Sequence, residues 1–304
     1  MDSRDFGLEL AQVLGVSNYL HFGYWDPTKK ATLGGLFKAQ EKHTEVLLKF
    51  LNKRAAQIEA IQKKSKITKQ KPLRILDIGC GSGKILGKLL ECGYQVDGII
   101  PSDHLYEATC DNVNRIKLSK NKTHAKNARE SKVYKCYLDD FYAKAPKSKY
   151  DILLFCESFQ YINYKLLYEN INNLLKENGE IIISDYFTIP QSDGAASFSG
   201  GHRLDKFYAY TKSSQLNIAN DQDISKYMAP SMDLINDILM NKLLPSSNIL
   251  DEFLKSRGIF IYSALKFLGR KSLKKIEKRY FSGTITAEVF NKSKSYRMLV
   301  LKTK

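Results

Sequence analysis

The chain has 304 residues, a length that fits one large domain or two. Hydrophobic residues make up 43% of it and aromatic residues 11%, which is enough for a packed core and excludes a disordered chain. No apolar run reaches the roughly 18 residues that a membrane-spanning helix needs. The first residues do not form a basic and then apolar signal segment. We therefore expect a cytoplasmic protein.

The charge is strongly positive, because 48 Lys and Arg against 32 Asp and Glu give a net charge of +16. Three stretches concentrate it, residues 53–74, 115–135 and 266–279. Such a field attracts nucleic acid, an anionic membrane or an acidic substrate. The stretches are mostly Lys without interleaved aromatic residues for base stacking, so a nucleic-acid partner is not expected. Peripheral membrane contact or a lipid substrate stays open, as does the oligomeric state.

The five cysteines contain no C-x-x-C pair, which indicates reduced thiols rather than disulfides or a zinc site. We therefore expect no metal.

Along the chain, a long helix over residues 33–63 and a basic linker precede alternating apolar runs and helical segments. The predicted strands are 73–78, 94–100, 133–138, 150–156 and 180–184. The predicted helices between them are 84–92, 103–118 and 163–176. This alternation predicts an α/β fold, a doubly wound parallel sheet with helices on both faces. Residues 204–278 read as mainly helical, with a short extended piece at 216–219. Alternation over 283–290 and 296–302 predicts a final hairpin.

A glycine turn follows the first predicted strand, with Asp77 at the strand end and Gly79, Gly81 and Gly83 at every second position. Glycines at this spacing let a ligand lie directly against the backbone, and the helix that follows favours negative charge at its start. The spacing does not fit a nucleotide P-loop or the dinucleotide pattern, which needs glycine where Lys84 stands.

The pattern D-x-G-x-G-x-G resembles motif I of class I S-adenosylmethionine-dependent methyltransferases, and the resemblance covers roughly residues 15–190. It implies a Rossmann-like, seven-stranded, mostly parallel sheet with a C-terminal antiparallel hairpin. The implied cofactor is S-adenosyl-L-methionine, with S-adenosyl-L-homocysteine as product. Gly79, Cys80, Gly81 and Gly83 would hold its amino-acid part and ribose, and the carboxylate of Asp77 its amino group.

Residues 19–25 resemble the N-terminal segment of small-molecule methyltransferases of the glycine-betaine-forming, tocopherol and cyclopropane-synthase-like groups. The resemblance implies a lid over the methionine end of the cofactor, with contacts from Tyr19, Tyr24 and Trp25. Aromatic faces stabilise a sulfonium cation, and a lid excludes water. The alternative is a hydrophobic staple on an N-terminal helix.

The chain departs from the family after the second strand, where an acid usually binds the ribose hydroxyls. Here Ile100, Pro101 and Ser102 occupy the cofactor-contacting stretch, and Ile100 cannot accept a hydrogen bond. Alternation places Asp97 on the opposite side of the strand, so Asp103 or Ser102 is the expected substitute.

After the third strand, the resemblance implies an adenine contact from Asp140 with Phe141, or from Asp139. The alternative is an Asx turn at a strand end.

Cys156 and Glu157 end the fourth strand, which in this family faces the cofactor sulfur and the substrate. Glu157 is expected to hold a cationic amine, to take its proton, or to anchor the lid. A base is needed only if the acceptor arrives protonated. The catalytic candidates are Glu157, His21 and His202, and the remaining histidines, His43, His104 and His124, are interpreted as surface residues. The expected substrate contacts are Phe159, Gln160, Tyr161, His202 and Tyr296.

The sequence thus predicts methyl transfer to N, O or C of a small or amphipathic acceptor. The expected domains are an N-terminal helical lid and basic linker (1–70), the cofactor-binding core (71–203), and a helical substrate-covering region with the final hairpin (204–304). Two alternatives remain: an RNA-binding or RNA-modifying protein with the same fold, and a non-catalytic cofactor-binding homologue.

Overall fold

The computed structural model describes residues 19–64, 72–144, 149–190, 200–257 and 280–304. The helices in these ranges are α1 (Leu33–Lys64), α2 (Lys84–Glu91), α3 (Asp103–Lys117), α4 (Lys122–Glu130), α5 (Leu138–Lys144), α6 (Tyr164–Leu174), α7 (Leu204–Ser213), α8 (Ser225–Met228), α9 (Pro230–Ile238), α10 (Leu244–Arg257) and α11 (Ala287–Ser293). The strands are β1 (Arg74–Ile78), β2 (Gln95–Ile99), β3 (Val133–Tyr134), β4 (Tyr150–Cys156), β5 (Leu175–Thr188), β6 (Leu216–Asp223) and β7 (Lys294–Thr303). A 3₁₀ turn covers Phe159–Tyr161, and a π-helical turn over Leu239–Leu243 joins α9 to α10.

The seven strands form one sheet in the order β3-β2-β1-β4-β5-β7-β6. Strands β1 to β5 pair in parallel, and β7 pairs antiparallel with both β5 and β6. The predicted fold class is confirmed. Because the strand order reverses between β1 and β4, their carboxyl ends open a crevice at which ligands bind in sheets of this kind.

Alternation along the strands divides the core into two layers, one on each face of the sheet. In β4, Ile152 and Leu154 face one layer, and Leu153 and Phe155 face the other. Near-continuous apolar strands of this kind are expected where both faces are covered. The first layer contains the buried stripe of α1 at Leu47 and Leu51.

A buried ion pair fixes α1 to the sheet. Arg54 donates two hydrogen bonds, of 2.6 and 2.7 Å, to the carboxylate of Glu180, which is fully buried on β5. Lys302 of β7 adds a third contact at 2.9 Å. Several donors on one buried carboxylate offset its desolvation, so the pair sets how α1 lies across the strands.

The hairpin predicted over 283–290 and 296–302 is misplaced in its first strand. Residues 287–293 form α11, whose N-cap is Thr286. On the side away from β5, the antiparallel partner of β7 is β6, which the sequence indicated only as a short extended piece. The end of β6 is rich in acidic residues, which are uncommon in strands, so the sequence did not predict a strand there. In the structure, Asp221 and Asp223 are accommodated because they pair with Arg297 of β7 at 3.0 and 2.9 Å.

Within the described ranges, no helix is long and apolar enough to cross a membrane.

Candidate functional site

The glycine turn between β1 and α2 has the backbone that the sequence predicted. Gly79, Gly81 and Gly83 all have φ between 58° and 77°, in the left-handed region that favours glycine. A Cβ at Gly79 would lie 2.5 Å from the Cβ of Ser158, and one at Gly83 would lie 2.9 Å from the Cα of Thr109. Side chains at Gly79 and Gly83 would therefore clash with Ser158 and Thr109, and the same two residues hold the backbone of the turn in place.

Asp77 is buried beneath this turn, with 2% of its surface exposed. Its Oδ2 atom is buried and has no hydrogen-bond partner in the described structure. Burial raises the pKa of the carboxyl to about 7. A buried carboxylate without a donor costs free energy, so this atom fits a ligand that brings a charged N–H group.

Two more buried carboxyls lie at the same edge of the sheet, Glu157 after β4 and Asp185 in β5. Burial raises the pKa of Glu157 to about 8 and that of Asp185 to about 7, and the charge of Asp185 also opposes ionisation of Glu157. The pKa of the Cys156 thiol is raised by burial and, to a smaller extent, by the nearby carboxyls of Glu157, Asp77 and Asp185. The raised pKa values leave these carboxyls partly protonated near neutral pH, and a cation bound at this edge would favour their charged form.

Residues 19–25 cover this edge. The side chain of Leu20 lies over the turn, because a Cβ at Gly81 would be 3.0 Å from Leu20 Cδ1. The Phe22 N–H donates to Glu157 Oε1 at 2.8 Å, and the Tyr296 hydroxyl donates to the same oxygen at 2.9 Å. Glu157 has φ 53°, a strained value for a residue with a Cβ. The geometry favours the anchor among the roles predicted for Glu157, although its catalytic role stays a prediction.

The three predicted lid rings pack mainly against protein. Trp25 donates from Nε1 to Ser231 Oγ at 2.9 Å and joins Ala31, Ala39 and Leu234 in a small apolar cluster. Tyr24 stacks on Tyr227 with ring centroids 4.4 Å apart. The ring of Tyr19 packs on His21 and Phe37. These contacts fasten residues 19–25 to α1, α8 and α9, and direct cofactor contacts from the three rings stay predictions.

His21 lies in a buried network rather than beside an open site. Its Nδ1 is 3.0 Å from His43 Nδ1, and both nitrogens are 3.0 Å from the Phe22 carbonyl oxygen. The outer nitrogens contact Thr44 Oγ1 at 3.1 Å and Ser184 Oγ at 3.2 Å. His43 is fully buried, so its interpretation as a surface residue is wrong. A helical pattern does not reveal which face a lone histidine occupies.

This histidine pair predicts a stability loss in acid. Burial lowers the pKa of His21 to about 4 and, with the neighbouring His21, that of His43 well below its usual 6.5. Their stabilisation is complete above the unfolded pKa and is lost as the pH falls, since the unfolded chain takes up protons first. Each such group costs about 2 kcal/mol at about pH 5.

We therefore expect His43→Gln to lose less free energy of unfolding than the parent between about pH 7.5 and about pH 5, with a difference of about 2 kcal/mol, measured by urea unfolding. His104→Gln, at an exposed residue, is the matched control and should keep the parent's pH dependence. If the free energy of unfolding of His43→Gln falls with pH as steeply as that of the parent, His43 does not have the lowered pKa.

His202 and Phe159 lie together on the second core layer. His202 Nε2 is 2.9 Å from the Phe159 carbonyl oxygen, and its ring packs edge-on against Tyr164 and Phe159. Phe159 is buried to 1% exposure. Both are placed to hold the 3₁₀ turn after Glu157, and their predicted catalytic and substrate-binding roles stay predictions.

The other predicted substrate contacts differ in exposure. Gln160 is half-buried and accepts a 2.6 Å hydrogen bond from the Tyr186 hydroxyl, while its own N–H donates to Asp185. Tyr161 is 57% exposed. Tyr296 is fully buried, with its hydroxyl on Glu157.

At the second strand, Ile100 is buried and packs into the first core layer, whereas Pro101 is exposed. Asp97 lies on the opposite side, as predicted, where it accepts from Arg74, the Lys132 N–H and the Tyr150 hydroxyl. Asp103 is 82% exposed and pairs with Lys135 at 2.7 Å.

Ser102 caps α3 by accepting from the Leu105 N–H at 3.4 Å. The predicted adenine contacts start α5: Asp139 and Asp140 are exposed, and Phe141 is buried with its ring 5.0 Å from Tyr134. The ribose and adenine assignments therefore stay predictions.

The described residues contain no cluster of three or more His, Cys, Asp or Glu side chains that could hold a metal ion.

Comparison with solved structures finds the same fold at low sequence identity. A putative sarcosine dimethylglycine methyltransferase from Galdieria sulphuraria is 15% identical, with a TM-score of 0.63 over 99% of this chain and 97% of that one. Geranyl diphosphate C-methyltransferase from Streptomyces coelicolor A3(2) is 12% identical, with a TM-score of 0.57 over 100% and 98%. The [4+2]-cyclase SpnF is 15% identical, with a TM-score of 0.58 over 99% and 92%. No curated protein sequence matched.

A family model described as a methyltransferase domain matches residues 43–213, more than half of the chain. This range contains the glycine turn, the carboxyls of Asp77, Glu157 and Asp185, and strands β1 to β5. The resemblance inferred from D-x-G-x-G-x-G is thereby confirmed. The chain belongs to the methyltransferase-domain family and has the class I fold of S-adenosylmethionine-dependent methyltransferases.

Proposed function

We propose that the protein transfers a methyl group from S-adenosylmethionine to a nitrogen, oxygen or carbon atom of a small or amphipathic acceptor. The observation that carries the proposal is the buried, unpartnered Oδ2 of Asp77 beneath three left-handed glycines. The cofactor's amino group would satisfy that oxygen, and the glycine backbone would hold the amino-acid part without a clash from a Cβ.

When bound, S-adenosylmethionine supplies a methyl group already activated on a sulfonium ion, so the protein's main task is alignment and exclusion of water. Asp77, Glu157 and Asp185 would become charged when a cationic cofactor binds beside them, because a nearby cation lowers their raised pKa values. Residues 19–25 would exclude water, held by Glu157 and by Ser231.

A division of the chain follows from this proposal. Residues 71–203 would hold the cofactor, residues 1–70 would contribute the lid, and residues 204–304 would cover the acceptor while β6 and β7 complete the sheet. Two solved structures of similar fold support a small acceptor, since one is a putative sarcosine dimethylglycine methyltransferase and the other is a geranyl diphosphate C-methyltransferase.

The test combines binding with an acceptor screen. We expect calorimetry to detect S-adenosylhomocysteine binding, and we expect label from methyl-labelled S-adenosylmethionine to appear in a component of a metabolite extract. Absence of binding would refute the cofactor site. Binding without transfer to any acceptor would favour a non-catalytic homologue, and label in RNA alone would favour the RNA-modifying alternative.

A further inference from the structure

Lys294 is a buried lysine at the edge of the sheet that the proposed function gives to the ligands. It begins β7, pairs with Thr188 at the end of β5 and is 2% exposed. Because β7 runs antiparallel to β5, the start of β7 lies at the carboxyl edge of the parallel strands, as do Glu157 and Asp185. A lysine is almost never fully buried unless it has a partner of opposite charge.

The ammonium group of Lys294 has neutral oxygen atoms as its partners. Its Nζ donates to Thr188 Oγ1 at 2.7 Å and to the Gly200 carbonyl oxygen at 2.5 Å, and it lies 5.7 Å from the centre of the Tyr186 ring. No carboxylate of the described residues forms an ion pair with it, and burial lowers its pKa from the usual 10.5 to about 8. Since an ammonium has three N–H donors and a full charge, these contacts offset only part of its desolvation.

The other two basic side chains of β7 show the usual arrangement. Arg297 pairs with Asp221 at 3.0 Å, and Lys302 pairs with Glu180 at 2.9 Å. Both side chains also meet more solvent than Lys294 does. The most buried base of the strand thus lacks a carboxylate among the described residues, and an anionic ligand would supply the missing charge.

Lys294 also borders the residues that the sequence predicts to contact the acceptor. Lys294 and Tyr296 are two positions apart and therefore lie on the same face of β7. Tyr186 pairs with Tyr296 on the neighbouring strand, and its hydroxyl donates to Gln160 Oε1 at 2.6 Å. The ring of Tyr186 stacks on Phe22 with centroids 6.1 Å apart, so one ring contacts both the lysine and the segment 19–25.

The cofactor is not the source of this anion. Strand β7 is the third strand from β1 in the sheet, which places Lys294 about 14 Å across the sheet from the glycine turn, at about 4.8 Å per strand. The carboxylate of S-adenosylmethionine is on the same carbon as the amino group assigned to Asp77. It would therefore remain near β1, and the acceptor is the ligand left to supply the charge.

We infer that Lys294 binds an anionic group of the methyl acceptor, a carboxylate or a phosphate, and so determines which acceptors the protein takes. The inference rests on the proposed function, because it assigns the anion to the acceptor of that reaction. The alternative is a structural role, in which Lys294 holds the chain at Gly200 against β5. That role needs only two neutral hydrogen bonds and does not require a buried charge.

The first test follows the labelled product of the acceptor screen on an anion-exchange resin. We expect the label in the retained fraction, where loss of retention after phosphatase treatment would identify a phosphate monoester rather than a carboxylate. Lys294→Met should raise KM for this acceptor by about tenfold or more, because a charge-assisted hydrogen bond is lost. Its affinity for S-adenosylhomocysteine should stay close to that of the parent, and Lys294→Arg should recover part of the loss in KM because it keeps the charge.

Lys165→Met is the matched control, since Lys165 is exposed and its ammonium lies 5.3 Å from the centre of the Tyr210 ring. It should keep the parent's KM. Thr188→Val removes a hydrogen-bond partner of Lys294 but leaves the charge, so it should raise KM less than Lys294→Met does. An equal rise in these two variants would assign Lys294 to holding the chain and overturn the inference.

A second measurement does not depend on turnover. With isotope-labelled lysine and bound S-adenosylhomocysteine, the Cε resonance of Lys294 is assigned as the one missing from Lys294→Arg. We expect acetate or methyl phosphate to shift this resonance saturably, whereas sodium chloride at the same ionic strength should not. No shift with either anion would overturn the inference, even if methyl transfer is found.

The outcomes separate this inference from the proposed function. Label in neutral or cationic products alone would overturn the inference and leave methyl transfer in place. A saturable shift in a protein that labels no acceptor would keep the anion site at Lys294 and refute the transfer. If Lys294→Met does not fold, the resonance of the parent and its retained product still decide.

Discussion

Replacing Asp77 with asparagine is expected to weaken cofactor binding and, at the same time, to stabilise the cofactor-free protein. The buried carboxyl has its pKa raised from 3.8 to about 7 by desolvation. Its contribution to stability is therefore complete below the unfolded pKa and is lost as the pH rises through about 7. At about pH 8 the loss is on the order of 4 kcal/mol, most of which asparagine avoids because it does not ionise.

The same substitution is expected to weaken cofactor binding, although it stabilises the cofactor-free protein. A charge-assisted hydrogen bond contributes about 1.5–3 kcal/mol, so Asp77→Asn should weaken S-adenosylhomocysteine binding by about tenfold or more in calorimetry. Urea unfolding of the free protein at about pH 8 should show the gain in stability, and at about pH 4 the gain should vanish.

Asp97→Asn is the matched control. Asp97 is as deeply buried on the neighbouring strand, but its oxygens accept from Arg74, Tyr150 and a backbone N–H. Its replacement should lower stability and leave cofactor affinity close to that of the parent. Unchanged affinity in Asp77→Asn would remove the assignment of Oδ2 to the cofactor.

The contrast between Asp77 and Asp97 also shows what the sequence could predict. Both assignments follow from local sequence patterns. Asp77 stands at the end of a predicted strand, directly before the glycine turn. Alternation along the next predicted strand places Asp97 on the side opposite Ile100. The covering of both faces of the sheet follows in the same way from the short apolar runs of β1 and β4 that alternate with helical segments. Such features depend on neighbours a few residues away, and the sequence contains them.

Features that depend on long-range contacts could not be read in advance. The burial of His43 depends on His21 and Ser184, which are 22 and 141 residues away. The position of Leu20 over Gly81 also depends on a distant contact, since the two residues are 61 positions apart in the sequence. Asp185 could have been found, because it follows a predicted strand directly, as Asp77 ends one.

Replacing Glu157 separates its predicted role as an anchor from the two predicted roles that require its charge. The Oε1 atom accepts from the Phe22 N–H and the Tyr296 hydroxyl. A glutamine oxygen at the same place accepts both bonds, whereas alanine accepts neither. If Glu157 is a positioning residue that anchors residues 19–25, Glu157→Gln should keep turnover within a few-fold of the parent and Glu157→Ala should lose tenfold or more.

Hydrogen exchange at the Phe22 amide gives a readout that does not require the acceptor. The amide should be protected in the parent and in Glu157→Gln, and should exchange faster in Glu157→Ala because the hydrogen bond is gone. Tyr296→Phe, which removes the second donor only, should leave this amide protected.

Turnover on the acceptor found by the screen then shows whether Glu157 acts only as an anchor or also through its charge. A carboxylate that holds a cationic acceptor or takes its proton is worth about 10²–10⁴-fold in rate, and glutamine cannot replace it. An equal loss in Glu157→Gln and Glu157→Ala, with Phe22 protected in the former, would make Glu157 a catalytic residue. Because burial raises the pKa of Glu157 to about 8, the parent's rate would then rise with pH through that value, and this rise would be missing in Glu157→Gln. We expect no such difference, since the anchor needs only an accepting oxygen.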